Sequence, residues 1–128
     1  GETGDYLGDF VTAGSGGISG TTAMLFGPDV NDDGTPDLLV TSNLTSEIVA
    51  FNGLNGAFLR KFVDAASGHL AGGTGDMILG PDRDGDGIAD VYAVNQPNAI
   101  VQVFSGADGA AGGVFIETFA DGASAGLG

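Results

Sequence analysis

The sequence predicts an all-β fold: propeller-like, four-stranded antiparallel blades, two of them complete, plus one extra strand, with no closure within the chain. Three observations carry this. A unit of 53 residues occurs twice. Each copy holds short runs of β-branched and aromatic residues bounded by Gly, Asn, Asp and Pro, the composition of strands and tight turns. No segment keeps the 3.6-residue apolar period of an amphipathic helix. Four short strands in each repeat of roughly 50 residues is the pattern of a propeller blade.

The elements follow in chain order. Tyr6 to Val11, preceded by Gly1-Glu2-Thr3-Gly4, matches the turn and last strand of the later copies and reads as an orphan fourth strand, within a segment 1–17. The first repeat, 18–70, carries strands at Met24–Phe26, Leu38–Thr41, Ile48–Phe51 and Phe58–Val63. The second, 71–128, carries them at Met77–Leu79, Val91–Val94, Ile100–Phe104 and Phe115–Phe119. Met24-Leu25-Phe26-Gly27-Pro28-Asp29 recurs as Met77-Ile78-Leu79-Gly80-Pro81-Asp82, and the same offset of 53 carries Asn31 to Asp84, Asp33 to Asp86, Gly34 to Gly87, Asp37 to Asp90 and Phe51 to Phe104. The last strand recurs at an offset of 57, because the turn around Ala110 to Gly113 is longer. A closed propeller takes about 4–8 blades, so two are not expected to close alone. The surplus strand needs a partner, and an unpaired edge is a template for another chain. The expectation is that the chain is a window cut from a longer array, or associates, or stacks as an open β structure, and the expected partner is a further copy, in a homo-oligomer or polymer.

Composition narrows the function. Lys and Arg number 3 against 17 Asp and Glu, a formal net charge of −14 over 128 residues. Nucleic acid and anionic membranes both need a basic face and are excluded as partners. Apolar residues are 42% of the chain, too many for a disordered acidic tail. Cysteine is absent, which removes disulfides, thiol nucleophiles and cysteine metal sites. No apolar run has the length of a transmembrane helix. The opening at Gly1 shows no signal peptide and reads as a mature or excised chain.

The acidic loops carry the chemistry. Between the first and second strands of the repeats lie Asp29 to Asp37 and Asp82 to Asp90, both D-x-[DN]-x-D-G-x-x-D. Calcium takes about 6–8 hard oxygen ligands, and alternate side chains of a tight loop converge oxygens on one point. The first site would use the side chains of Asp29, Asn31, Asp33 and Asp37 with the carbonyl of Thr35. The second would use Asp82, Asp84, Asp86 and Asp90 with the carbonyl of Ile88. Gly34 and Gly87 permit the bend between them. An EF-hand is ruled out by spacing, since its bidentate Glu would fall on Val40 or Ala93. A plain Asx-rich turn accounts for one such loop. Two in register, with up to four carboxylates crowded together, favour a cation, because like charges repel. Two bound Ca²⁺ would bring the charge of −14 to −10.

These residues are similar to a known family. The stretch Phe26 to Val40, FGPDVNDDGTPDLLV, resembles the FG-GAP/VCBS-type repeat, the calcium-loop blade of integrin alpha-chain heads and of many bacterial secreted and surface proteins. Leu79 to Val94 is similar, with Leu79 in place of Phe. The resemblance implies structural calcium at Asp29, Asn31, Asp33, Asp37 and at Asp82, Asp84, Asp86, Asp90. Asn52 to Val63 is similar to segments of bacterial NHL-like propellers. The closed ring of the family is the departure.

Other residues are weighed and set aside. His69, the single histidine, lacks the partners of a triad or zinc site. Ser15, Ser19 and Ser67 lie in glycine-rich loops with no visible base. Gly14-Ser15-Gly16-Gly17 lacks the Lys-Ser/Thr of a phosphate loop. The paired carboxylates of a glycosidase are better explained as metal ligands. Asn43-Leu44-Thr45 is a glycosylation sequon. Arg60 and Lys61 read as a charged safeguard on an edge strand. The expectation is a non-enzymatic, extracellular or cell-surface calcium-binding structural or adhesive repeat, self-associating through strand edges. The competing expectations are a propeller fragment binding a protein or carbohydrate ligand, and an accessory domain of a larger secreted enzyme.

Overall fold

The computed structural model describes residues 8–12, 14–67, 70, 73–95, 100–109 and 112–121. They form two four-stranded antiparallel sheets. β1 (Met24–Phe26), β2 (Leu38–Ser42), β3 (Glu47–Phe51) and β4 (Phe58–Val63) make the first, in that order. β5 (Asp76–Gly80), β6 (Asp90–Asn95), β7 (Ile100–Phe104) and β8 (Phe115–Asp121) make the second. The all-β, non-closed architecture matches the sequence reading. The first sheet falls within the repeat 18–70 and the second within 71–128. Helical structure among the described residues is confined to 3-10 turns, at Ser15–Gly17, Asn43–Thr45, Ala65–Ser67 and Gly109. Of the extra strand expected at Tyr6 to Val11, Tyr6 and Leu7 lie outside the described residues, and Gly8 to Val11 are not in a strand. His69 also lies outside them.

The repeat extends to hydrogen-bond register. Leu39 pairs with Ala50 as Tyr92 pairs with Val103. The fourth strand slips against the third between Ile48 and Val49 and between Ala50 and Phe51, and the same irregularities recur at Val101/Gln102 and Val103/Phe104. Edge-to-face ring pairs close both hairpins, Phe51 with Phe58 at 6.2 Å and Phe104 with Phe115 at 5.8 Å.

Side chains of a strand alternate between two faces, and here each face has its own core. Leu39, Ile48 and Ala50 point to the second sheet and meet Met77, Val91, Ala93 and Phe104. The opposite face of the first sheet, Leu38, Val40, Val49 and Phe51, is packed by Val11 and Ile18. Coverage on both sides explains why β2 and β3 are buried along their whole length. Each large side chain fully removed from water contributes about 1.5–3 kcal/mol.

Gln102 interrupts this core. It is 5% exposed and its Oε1 lacks a hydrogen-bond partner among the described residues. The equivalent residue of the first repeat is the fully buried Val49. A buried unsatisfied acceptor costs about 1–3 kcal/mol. Gln102→Val should therefore raise the denaturation midpoint, by about 1–2 kcal/mol at unchanged m-value. A lower midpoint in urea would show that the amide earns its place there.

The basic residues lie on β4, an edge strand of the first sheet, and both are engaged there. Lys61 does not stand free on the edge strand: its Nζ donates to both carboxylate oxygens of the buried Glu47, at 2.9 and 2.7 Å. Burial pushes the Glu47 carboxyl up, but Lys61, the Thr45 hydroxyl and the Ala65 N–H outweigh it and hold it below the usual carboxylate range. Arg60 donates to the carbonyls of Gly109 and Gly112, at 3.1 and 2.8 Å, and so ties the first sheet to the last hairpin of the second. Asn43 of the sequon is half-buried, with its side chain against Gly73.

Candidate metal centre

Both acidic loops join the first two strands of a sheet, and both are shaped by their own carboxylates. In the second loop Asp82 accepts from the N–H groups of Gly85 and Gly87, at 2.8 and 2.7 Å. Asp84 accepts from the Asp86 N–H at 3.3 Å, and Asp86 from the Ile88 N–H at 2.9 Å. The first loop repeats much of this scheme. Asp29 accepts from the Asp33 and Gly34 N–H groups, at 3.0 and 2.7 Å, and Asp33 from that of Thr35 at 2.9 Å. Thr35 and Ile88 thus hold equivalent places, each positioned by the carboxylate two residues before it.

The final aspartate of each motif behaves differently from the others. Asp37 and Asp90 are fully buried at the starts of β2 and β6. Asp37 Oδ2 accepts from the N–H groups of Val30 and Asn31, at 2.8 and 3.3 Å, while Oδ1 accepts from Gly53 at 2.8 Å. Asp90 Oδ2 accepts from Arg83 at 2.6 Å and Oδ1 from Gly106 at 2.9 Å. Each carboxylate therefore clamps its acidic loop to the turn after the third strand, sixteen residues on in both repeats. This role was missed in the sequence. The signal for it was present: an Asp and a Gly at the same spacing, twice.

Convergence separates the two loops. One carboxylate oxygen from each of Asp82, Asp84, Asp86 and Asp90 lies within 4.8 Å of the others, so the four could hold a metal ion. Three of them are exposed and Asp90 is buried. Oxygens on opposite sides of a calcium ion, at 2.3–2.6 Å from it, stand at most about 5 Å apart. The grouping fits that sphere and supplies only hard oxygen donors. The carboxylates of Asp29, Asp33 and Asp37 do not form such a group among the described residues, and Asn31 is exposed beside them.

The second cluster is electrostatically uneven. Asp82 is held below the usual carboxylate range, chiefly by the Gly87 N–H. Asp84 is pushed above it, first by loss of hydration and then by its hydrogen bond with Asp82 and the charges of Asp90 and Asp86, against the Asp86 N–H. Carboxylates crowded together repel one another, and a bound cation relieves that repulsion.

One backbone position also distinguishes the loops. Gly85 has φ +78°, in the left-handed region, and Asp32 holds the equivalent place with φ +59°. A residue with a side chain there costs roughly 1–2 kcal/mol, less for Asp than for most.

Comparison with known proteins returns no matching family model, no matching curated protein and no matching solved structure. None of these comparisons identifies an FG-GAP/VCBS-type repeat. Among the described residues no helix is long and apolar enough to cross a membrane.

Proposed function

We propose that this chain is a non-enzymatic, calcium-binding structural repeat module that works outside the cell or at its surface. The observation that supports it is the convergence of four carboxylates in the second loop. The loop joins two strands of a sheet, so an ion held there stiffens the connection rather than activating a substrate. Calcium is favoured by the all-oxygen donor set and by the alternation of acidic side chains in a tight loop. A second ion belongs to the first loop, where Asp29, Asn31, Asp33, Asp37 and the Thr35 carbonyl have still to gather, and where affinity is lower. Extracellular calcium modules bind at about 10⁻⁴–10⁻³ M, which suits surroundings rich in calcium.

Calorimetric titration with calcium chloride tests this. The wild-type chain should bind calcium and gain about 2.7 kcal/mol per site at a free concentration 100 times Kd. Asp84→Asn with Asp86→Asn should abolish the tighter site while leaving the circular dichroism of the calcium-free chain unchanged, because both residues are exposed and bond only within their own loop. Asp33→Asn should abolish the weaker site alone. Absence of both binding heat and thermal stabilisation at millimolar calcium would reject the reading.

A further inference from the structure

The two repeats share a sequence motif and a strand order, yet equivalent apolar residues differ sharply in exposure. Met77 is 4% exposed where it meets the first sheet, and its counterpart Met24 is 71% exposed. Phe62 is 3% exposed where it meets the second sheet, and its counterpart Phe119 is 52% exposed. Leu25 packs on the core between the sheets, while its counterpart Ile78 is 61% exposed. The register fixes which faces these belong to. Met24 pairs with Val40 on the outer face of the first sheet, and Met77 with Ala93 on the inner face of the second. Ile78 pairs with Tyr92 on the outer face of the second sheet, and Leu25 with Leu39 on the inner face of the first.

The internal interface therefore joins two unlike surfaces, and the molecule displays a second version of each. The outer face of the second sheet repeats the surface that the first sheet offers to it. The outer face of the first sheet repeats the surface that the second offers in return. Even the segment crossing between sheets is duplicated. Val63 and Leu70 lie in the internal core, and Val11 and Ile18, at the same offset of 52, pack on the outer face of the first sheet.

We propose that a second copy of this chain docks head to tail, placing the outer face of its first sheet on the outer face of the second sheet and repeating the internal sheet-to-sheet interface between molecules. An interface between unlike faces propagates, into a ring where the rotation closes and a filament where it does not. The joint is a face of each sheet, not a strand edge. The receiving face forms an apolar groove of 360 Å³ lined chiefly by Ile78, Tyr92, Val94, Val101 and Phe119. Its differences from the internal surface fit a separable joint. Leu39 of the internal interface becomes Tyr92, and Val30 becomes Arg83, which lies over the Phe119 ring at 5.1 Å and pairs with Glu117 at 2.5 Å. Tyr and Arg are the residues enriched where partners associate reversibly. The charge of −14 on each copy opposes docking, so association tightens as salt screens it.

Sedimentation velocity on the full chain tests this, with and without calcium, over a concentration series at low and moderate salt. The wild type should shift from monomer to larger species with concentration, more so at moderate salt. Met24→Asp and Phe119→Asp, both at exposed positions, should each be monomeric, and Ile78→Asp should repeat the result of Phe119→Asp. Mixing Met24→Asp with Phe119→Asp should restore association as a 1:1 dimer and no further, because each variant retains the face the other lacks. A wild type that stays monomeric throughout assigns the faces to another occupant and overturns the proposal. So does a mixture that stays monomeric, or a Met24→Asp chain that dimerises with itself through like faces.

Discussion

Asp37→Ala should destabilise the fold by about 3–5 kcal/mol, the loss expected when a buried, charged acceptor of three backbone N–H groups is removed. The carboxylate is fully buried and accepts three backbone N–H groups, from Val30, Asn31 and Gly53. Hydrogen bonds to a charged group contribute about 1.5–3 kcal/mol each, and donors left buried without a partner add their own desolvation cost. A domain's total stability is only about 5–15 kcal/mol, so a large unfolded fraction is expected near physiological temperature. Asp90→Ala should do the same through Arg83 and Gly106. Urea denaturation with chelator present separates the clamp from a ligand role. Asp37→Ala should lose most of this stability already under chelator, because its two oxygens are engaged by the backbone, with a smaller further loss once calcium fills the first loop. Asp90→Ala should lose more in calcium, because its carboxylate also belongs to the four-aspartate group. Asp37→Asn retains one acceptor oxygen and should fall between wild type and alanine. If Asp37→Ala is silent under chelator and costly only in calcium, the residue is a ligand and not a clamp.

The fold was legible because burial and strand propensity agree. Runs such as Leu38–Thr41 and Ile100–Phe104 are bounded by turn residues, and the repeat gives each run a second witness. The site was legible in part. The motif D-x-[DN]-x-D-G-x-x-D is the same in both loops, yet only the second gathers its carboxylates. The shared motif hides the difference; the residues at its variable positions and the local geometry carry it. The first loop has Asp32 where the second has Gly85, both with positive φ, and an amide, Asn31, where the second has Asp84. Its backbone is also tied outward, the Asp29 N–H donating to Asp108 and the Asp29 carbonyl accepting from Gly109. Those partners lie 79 and 80 positions away in the sequence, beyond the reach of any local pattern. Arg60 and Lys61 teach the same lesson. Edge position is readable from strand order, but their engagement with Gly109, Gly112 and Glu47 depends on where the chain returns.

The two roles of the motif also explain one another. Alternate aspartates face solvent, where a cation can reach them, and the last is buried, where it fixes the loop's shape. Burying that carboxylate is tolerable because backbone donors meet both of its oxygens. A loop fixed by the clamp loses little entropy when it takes an ion, which favours binding over a loop that must first fold.

Gly53→Ala and Gly106→Ala should be nearly as costly as loss of the clamp itself, about 3 kcal/mol or more each. Neither position needs glycine for a positive φ. The reason is close approach: a β-carbon at Gly53 would overlap the Pro36 carbonyl oxygen, and one at Gly106 that of Ala89. The obstruction is backbone on both sides, so no rotamer change relieves it. The turn must move away from the start of the second strand, and its N–H then leaves the carboxylate of Asp37 or Asp90. Overpacking alone costs about 1–3 kcal/mol, and the lost charge-assisted bond adds to it. Gly34→Ala supplies the contrast. Gly34 has φ +87° and open space where a β-carbon would stand, so its cost is the left-handed conformation alone, roughly 1–2 kcal/mol. Thermal or urea unfolding of the three variants should thus rank Gly34→Ala well above the other two in stability. Because the clamp and the close approach act on one turn, Gly53→Ala combined with Asp37→Ala should cost less than the sum of the single losses. Strict additivity would mean that the carboxylate and the glycine act independently, and that the turn is held by something other than their hydrogen bond.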